Sequence, residues 1–282
     1  MRILVAGATG AIGRLLVPSL VAAGHEVAGT SRTREGAERI TAAGARGLRM
    51  DALDPGSVGA AFAGFAPETL VFQLTALGGK DFAANARIRS VGTPLLVDAA
   101  LAAGVRRIVS QSISWVYEPG DTPAEETVPL DADPARAGMM AGVRALEDAS
   151  ARMPEHVVLR YGTLYGPGTW YAPGEWIAQQ LREGGLVADD AVTSFCHVAD
   201  AAAAAVSALE WPSGAVNIVD DEPAAAKEWL PFLAAAYGEP APPTAEGRQG
   251  WQRGASNRKA RGELGWVPIH RSWRDGLAAD AG

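Results

Sequence analysis

Ile3-Leu4-Val5-Ala6-Gly7-Ala8-Thr9-Gly10-Ala11-Ile12-Gly13 decides how this chain is read. An apolar run short enough for a buried strand leads into a glycine-spaced turn, and Ile12-Gly13-Arg14-Leu15-Leu16 then begins a helix. Glycines in a strand–turn–helix unit allow a tight turn, bring backbone N–H groups close to a pyrophosphate, and let the helix pack on the strand. The positive end of the helix dipole points the same way. Gly7, Thr9, Gly10, Ala11, Ile12 and Gly13 are therefore expected to hold the phosphates of a dinucleotide.

The alternation continues outward from this loop. Strands are expected over 2–6, 26–30, 46–50, 69–74, 106–110 and 156–160, with helices over 11–23, 33–43, 55–64, 81–103 and 134–152. That rhythm predicts an α/β fold, a Rossmann-type doubly wound parallel sheet. Gly24, Gly44 and Gly104 stand where left-handed C-caps want glycine, and Asp133-Pro134 reads as the start of the fifth helix. The rhythm loosens after Tyr161. The expected division is a dinucleotide-binding domain over 1–162 and a smaller substrate-binding lobe over 163–282, with 193–222 packing back on the sheet. In that lobe the expected elements are helices near 174–183, 198–210 and 226–237, a strand at 215–220 and two short closing helices.

Composition narrows the function classes. The 282 residues carry a net charge of −7, which argues against nucleic acid or an anionic membrane as the main partner. Cys196 is the single cysteine, so neither a disulfide framework nor a cysteine-based zinc site can be built. No apolar run reaches the roughly 18 residues of a membrane span, and Gly7 interrupts the N-terminal run too early for a signal-peptide core. A cytoplasmic protein with a small-molecule substrate is the expectation.

About 20 residues past the glycine loop, an acid usually accepts the ribose 2′-hydroxyl of NAD. Here the second strand ends in Thr30-Ser31-Arg32, with Arg34 behind it. Hydroxyl and guanidinium groups in place of a carboxylate suit a 2′-phosphate, so NADP is favoured over NAD, with Ser31 and Arg32 at the adenosine end. Asp51, followed by Ala52, is placed either to meet the adenine amino group or to serve as an ordinary turn aspartate.

These residues resemble the short-chain dehydrogenase/reductase superfamily, in its extended NAD-dependent epimerase/dehydratase branch. The resemblance rests on Gly7–Gly13, Asp51, Val71-Phe72-Gln73-Leu74-Thr75-Ala76, Val109-Ser110-Gln111-Ser112 and Leu159-Arg160-Tyr161-Gly162-Thr163-Leu164-Tyr165-Gly166. Phe195–Asp200, Asn217–Asp220 and Lys259–Trp266 extend it over nearly the whole chain. It implies that Leu74, Thr75 and Ala76 line the nicotinamide ribose and that Gln111 belongs to the cofactor site. It also implies that Tyr161, Gly162 and Thr163 flank the nicotinamide amide, and that Ser112 takes the catalytic serine's place. Dimerisation through the helices over 81–103 and 134–152 would follow the family habit.

The family's Tyr-x-x-x-Lys pair is missing. Counting back from Leu146-Glu147 lands on Met139 and Val143. Nor does any tyrosine precede a lysine by four residues, since Ala76, Pro223 and Ala255 stand before Lys80, Lys227 and Lys259. Losing a positioned general acid typically forfeits 10²–10⁴ in rate, so a carbonyl reductase would need a substitute. Tyr117 is the candidate donor and Ser112 the orienting group; the alternative is that Tyr117 only packs its loop. Ser114, Trp115, Met139, Val143, Trp170 and Tyr171 are candidate substrate contacts, the last two equally readable as lobe core. Lys80 reads as a loop lysine or a substrate contact. Arg248 and Arg253 could hold a nucleotide-sugar diphosphate. His197 is expected to cap the helix that contains Asp200 rather than bind metal. The expected activity is an atypical NADP-dependent oxidoreductase or isomerase acting on a small carbonyl or hydroxyl compound. The rivals are a catalytically silent NADP-binding sensor or partner-binding protein and a redox-neutral cyclase or lyase.

Overall fold

A computed structural model describes residues 1–281. The first half alternates as β1 (Arg2–Ala6), α1 (Gly13–Ala22), β2 (Glu26–Ser31), α2 (Arg34–Ala42), β3 (Arg46–Arg49), α3 (Pro55–Phe65) and β4 (Thr69–Phe72). It continues with α4 (Phe82–Arg87), α5 (Thr93–Ala102), β5 (Arg107–Ile113), α6 (Ala137–Ala151) and β6 (Glu155–Tyr161). Then come β7 (Thr163–Tyr165), α7 (Trp176–Arg182), β8 (Val192–Thr193), β9 (Phe195–His197), α8 (Val198–Ser207) and β10 (Gly214–Ile218). β11 (Ala224–Ala225), α9 (Ala226–Tyr237), α10 (Arg258–Gly262) and α11 (Trp273–Ala281) complete the chain. No helix among the described residues is long and apolar enough to cross a membrane.

Seven strands form the central sheet in the order β10-β6-β5-β4-β1-β2-β3. Parallel register places Ala6 beside Thr30 and Phe72, and Phe72 beside Ser110. One edge therefore collects the carboxyl ends of β1, β2, β4 and β5, the side on which open α/β sheets bind ligands. Leu4, Leu70 and Phe72 are fully buried against Phe62 and Phe65 of α3, Leu96 and Val97 of α5, and Leu146 of α6. Each such side chain contributes roughly 1.5–3 kcal/mol by leaving water.

The strands and helices expected up to Tyr161 all form, with two local departures. The single helix expected over 81–103 is split by a π-helical turn at Ile88–Gly92, because Pro94 lacks an N–H and its ring excludes the carbonyl a turn earlier. Thr93 Oγ1 donates to the Ile88 carbonyl at 3.2 Å across this turn. The helix expected from Pro134 opens as a 3-10 turn, Pro134–Arg136, and becomes α-helical at Ala137. Gly24, Gly44 and Gly104 adopt positive φ of 82°, 88° and 76°, as helix-terminating residues.

The chain forms two compact units whose segments interleave. The first comprises 1–112, 134–159 and 202–215; the second comprises 113–133, 160–201 and 216–282. The boundary differs from the one expected at residue 162. Segment 113–133 joins the second unit because it is laced to that unit's last third. Ala124 bridges to Ala255, the Ala124 amide donates to the Gly254 carbonyl at 3.0 Å, and Arg248 and Arg253 reach back to residues 118–122. Within the second unit, β7 pairs in parallel with β9 and β8 antiparallel with β11. Tyr165, Phe195, Trp229, Leu233 and Trp273 form its core.

Candidate functional site

In the first unit the glycine turn is a cradle that side chains would fill. Gly7 has φ of +95°, and a Cβ there would lie 2.5 Å from the Gln73 carbonyl oxygen. At Gly13 a Cβ would lie 2.2 Å from the Gly7 oxygen. Gly10 differs: it is exposed, its amide donates to Gly7 at 3.1 Å, and a Cβ would approach nothing closer than 3.4 Å. No side chain caps the amino end of α1. Backbone amides at a helix N-terminus, with glycines clearing the approach, fit the pyrophosphate of a dinucleotide. Thr9 is exposed, Ala11 half-buried, and Ile12 anchors the turn in the core.

The rest of the carboxyl edge surrounds this cradle. Ser31 Oγ accepts from the Thr33 amide at 3.3 Å, and Arg34 is paired with Glu38 at 2.9 Å. Arg32 is exposed and makes no ion pair among the described residues. Asp51 accepts from the Leu53 amide at 2.9 Å, the geometry of an ordinary turn aspartate, yet its carboxylate stays exposed; Ala52 is buried. Leu74, Thr75 and Ala76 are half-buried after β4, and the Ala76 amide donates to Asn85 Oδ1 at 3.3 Å. Gln111 and Ser112 are buried near the end of β5.

Ser112 Oγ donates to Glu147 Oε1 at 2.7 Å. The Glu147 carboxylate in turn acts on Arg89, a buried arginine of the π-helical turn: burial pulls the guanidinium pKa down, and Glu147 opposes that fall. Sequence reasoning used Glu147 only as a landmark and passed over Arg89, because the pairing spans three separate segments. On the same helix, Val143 is fully buried and Met139 is not.

In the second unit Tyr117 is buried and its hydroxyl donates to Asn217 Oδ1, while Arg160 Nη1 donates to the phenol oxygen at 3.0 Å. Burial raises its pKa to about 12 against the opposing pull of Arg160. Tyr161 donates to the Ala201 carbonyl at 3.1 Å, the Gly162 amide to Ile218, and the Thr163 amide to Ser194 at 2.8 Å. Ser114, Trp115 and Thr163 come together around a cavity of about 210 Å³, completed by Ala191, Val192, Thr193, Ser194, Trp251, Gln252 and Gly254. Seven of the ten lining residues were missed by sequence reasoning: Ala191–Ser194, Trp251, Gln252 and Gly254. No periodicity links them to residue 115.

Trp170 and Tyr171 are not among that lining. Trp170 stacks edge-on with Trp176 at 4.8 Å, and Tyr171 packs on Phe195 and Trp229, so both stand with the lobe core. Arg248 donates to the carbonyls of Gly120, Gly250 and Gln252, and Arg253 to those of Thr122 and Glu118. The Arg253 guanidinium lies close over Gly120, where a Cβ would approach its carbon to 2.2 Å. Both arginines are fastened to backbone. His197 Nδ1 accepts from the Ala199 amide at 3.2 Å, the expected capping contact. The fold supplies the neighbour that sequence proximity did not. His270 stacks on His197 at 3.6 Å and bonds Asp200 at 2.9 Å, and one ligand-type atom from each of the three lies within 4.8 Å of the others. Asp200 already accepts from the Ile269 and His270 amides, which fits a structural staple.

A glycine cradle at the first strand of a doubly wound sheet, and a cavity lined in part by the residues that follow its fifth and sixth strands, define a dinucleotide-dependent enzyme of the short-chain dehydrogenase/reductase type. The chain belongs to the NAD dependent epimerase/dehydratase family, which matches residues 3–219. It is 43% identical over 312 residues to a 3-diazoavenalumate denitrifying reductase from a Streptomyces species, covering 99% of this chain and all of that one. It is 36% identical over 154 residues to a UDP-glucose 4-epimerase of Mycolicibacterium smegmatis, half of each protein. Among solved structures, the UDP-glucose 4-epimerase of Thermus thermophilus in complex with NAD superposes with a TM-score of 0.78 at 26% identity, over 100% of this chain and 98% of that one. The chain is thus an NAD(P)-binding, epimerase/dehydratase-like oxidoreductase.

Proposed function

We propose that this enzyme is a reductase for a small diazo compound, using NADPH in preference to NADH, by a reaction that needs no proton donor. What carries the reading is a conjunction: full-length similarity to a reductase named for denitrifying a diazo substrate, in a chain with no Tyr-x-x-x-Lys anywhere. The bound dinucleotide would supply a hydride. When hydride replaces N2 on an arenediazonium carbon, the C–N bond breaks, nitrogen leaves with the bonding pair, and a C–H bond forms. The charges balance without a proton, so apolar Met139 and Val143 carry no penalty where a carbonyl reductase wants an ionisable pair.

The chain's own residues have the remaining tasks. Gly7, Gly10 and Gly13 admit the pyrophosphate, and Arg32 with Ser31 offers charge and a hydroxyl to a 2′-phosphate. Leu74–Ala76, Gln111 and Tyr161–Thr163 would border the nicotinamide. Ser112, held by Glu147, would orient the substrate. A carbonyl substrate would make another demand, an alkoxide to protonate, and for that Tyr117 or a water at Ser112 is the candidate. No feature of the chain favours the silent sensor or the redox-neutral cyclase or lyase. Exposed Phe82, Val91 and Leu101 give the helices over 82–102 the apolar surface that a homodimer would cover, and a cytoplasmic setting would keep reduced dinucleotide at hand.

The test is a substrate panel with NADPH: an arenediazonium salt, aldehydes, ketones, quinones and UDP-glucose. The expected result is N2 release and NADPH oxidation in equal amounts, above the rate with cofactor alone. Turnover confined to carbonyls or UDP-glucose would reject the proposal.

A further inference from the structure

The cavity of the second unit has a size and a chemistry that together select a ligand. About 210 Å³ is modestly larger than the roughly 150 Å³ that accepts benzene in a protein interior. That volume holds one aromatic ring with a small substituent or two. None of the ten lining residues is ionisable. The two arginines nearest in sequence, Arg248 and Arg253, are fastened to carbonyls of residues 118–122 and 249–252, so no diphosphate clamp is offered here. Ser194 Oγ donates to the Ala255 carbonyl and accepts from its amide, leaving Ser114, Thr163 and Thr193 as the hydroxyls of the lining. Trp115 and Trp251 supply the large aromatic surface. Ser114 and Trp115 directly follow β5, and Thr163 opens β7 just past β6, so the lining draws on segments that leave carboxyl ends of strands, where open α/β sheets bind ligands.

We propose that this cavity is an aryl-binding site for a neutral or cationic monocyclic arene. Trp115 and Trp251 hold the ring, and the hydroxyls of Ser114, Thr163 and Thr193 bond its polar substituent. As the site of the substrate it rests on the diazo-reductase reading. An indole face attracts a cationic aryl group as well as a neutral one, and the absence of a lining carboxylate leaves that attraction to the rings.

Binding tests this separately from turnover. The full chain, labelled with ¹⁵N at its eight tryptophans, is titrated with 4-hydroxybenzamide and with its ring-saturated counterpart, trans-4-hydroxycyclohexanecarboxamide. Two indole N–H signals, assigned by Trp115→Phe and Trp251→Phe, should shift with the aromatic probe. The saturated probe should bind at least fivefold more weakly. Trp251→Ala should weaken the aromatic probe tenfold or more, Trp251→Phe less than threefold, and tenfold excess UDP-glucose should not displace it. Shifts confined to other indoles, equal affinity for the two probes, or displacement by UDP-glucose would overturn the assignment. The indole map uses the unmodified chain, so it decides even if Trp251→Ala does not fold. Aryl binding without hydride transfer to any diazo compound would remove the proposed reaction and leave the site; hydride transfer without the two shifts would do the reverse.

Discussion

The glycine cradle and the proposed aryl cavity would recognise their ligands by opposite means. The cradle is one continuous stretch, Gly7–Gly13, in which backbone amides would do the binding and a Cβ at Gly7 or Gly13 would strike backbone. The cavity draws on four separated segments, with residues 114–115, 163, 191–194 and 251, 252 and 254 in its lining, and side chains would do the selecting. Phosphate recognition by amides needs only glycine spacing and a helix start, so one short sequence can specify it. Recognition of a ring needs large surfaces brought together by tertiary structure.

The largest effect should come from adding bulk to the cradle, and two glycines should separate binding from folding. Gly10 is exposed with room around it, so Gly10→Val should weaken dinucleotide binding at least 10²-fold by calorimetry with an unchanged melting temperature. Gly13→Val drives its side chain into the Gly7 and Ala8 backbone. It should cost about 2–4 kcal/mol in urea unfolding. If Gly10→Val binds cofactor like the parent, the cradle is not the phosphate site.

Tyr117→Phe sharpens the comparison next, because its outcome depends on substrate. On a carbonyl the loss of a phenolic donor should slow the proton-transfer step on the order of 10²-fold. On an arenediazonium the rate should stay within threefold, while removal of the hydroxyl from Asn217 and Arg160 costs about 1–3 kcal/mol of stability. Steady-state rates and unfolding curves on one variant preparation decide both. A large rate loss on the diazonium substrate would show that Tyr117 enters the chemistry after all.

The smallest effect is at the adenosine end. NADPH should bind at least tenfold tighter than NADH, about 1.4 kcal/mol, and Arg32→Ala should remove most of that margin. Arg34→Ala should not, since Arg34 already faces Glu38. Equal affinities in the parent would return the cofactor assignment to NAD.

What was legible in the sequence follows the same division. The strands through β6, the Gly7–Gly13 turn and the left-handed Gly24, Gly44 and Gly104 are local features, governed by period and backbone conformation, and all formed as read. The stretch over 81–103 reads as one helix, so neither the π-helical turn at Ile88–Gly92 nor the buried Arg89 set against Glu147 was legible. Ser112–Glu147, Tyr117–Asn217 and His270–Asp200 each join residues 35 or more positions apart. One sequence carries no mark of such distance. The same holds for Trp251 and Trp115 in one cavity lining, and for segment 113–133, which Arg248, Arg253 and the Ala124–Ala255 bridge tie into the second unit.

The central claim is that hydride passes directly to the carbon that loses nitrogen. The decisive measurement is turnover of an arenediazonium salt with each of the two stereospecifically deuterated NADPH isomers in ordinary water, the arene product being read by mass spectrometry and NMR. One isomer should place a single deuterium at the carbon that carried nitrogen, one per N2 released, and the other none. Solvent hydrogen at that carbon from both isomers would contradict direct hydride transfer and the dispensability of the proton donor with it.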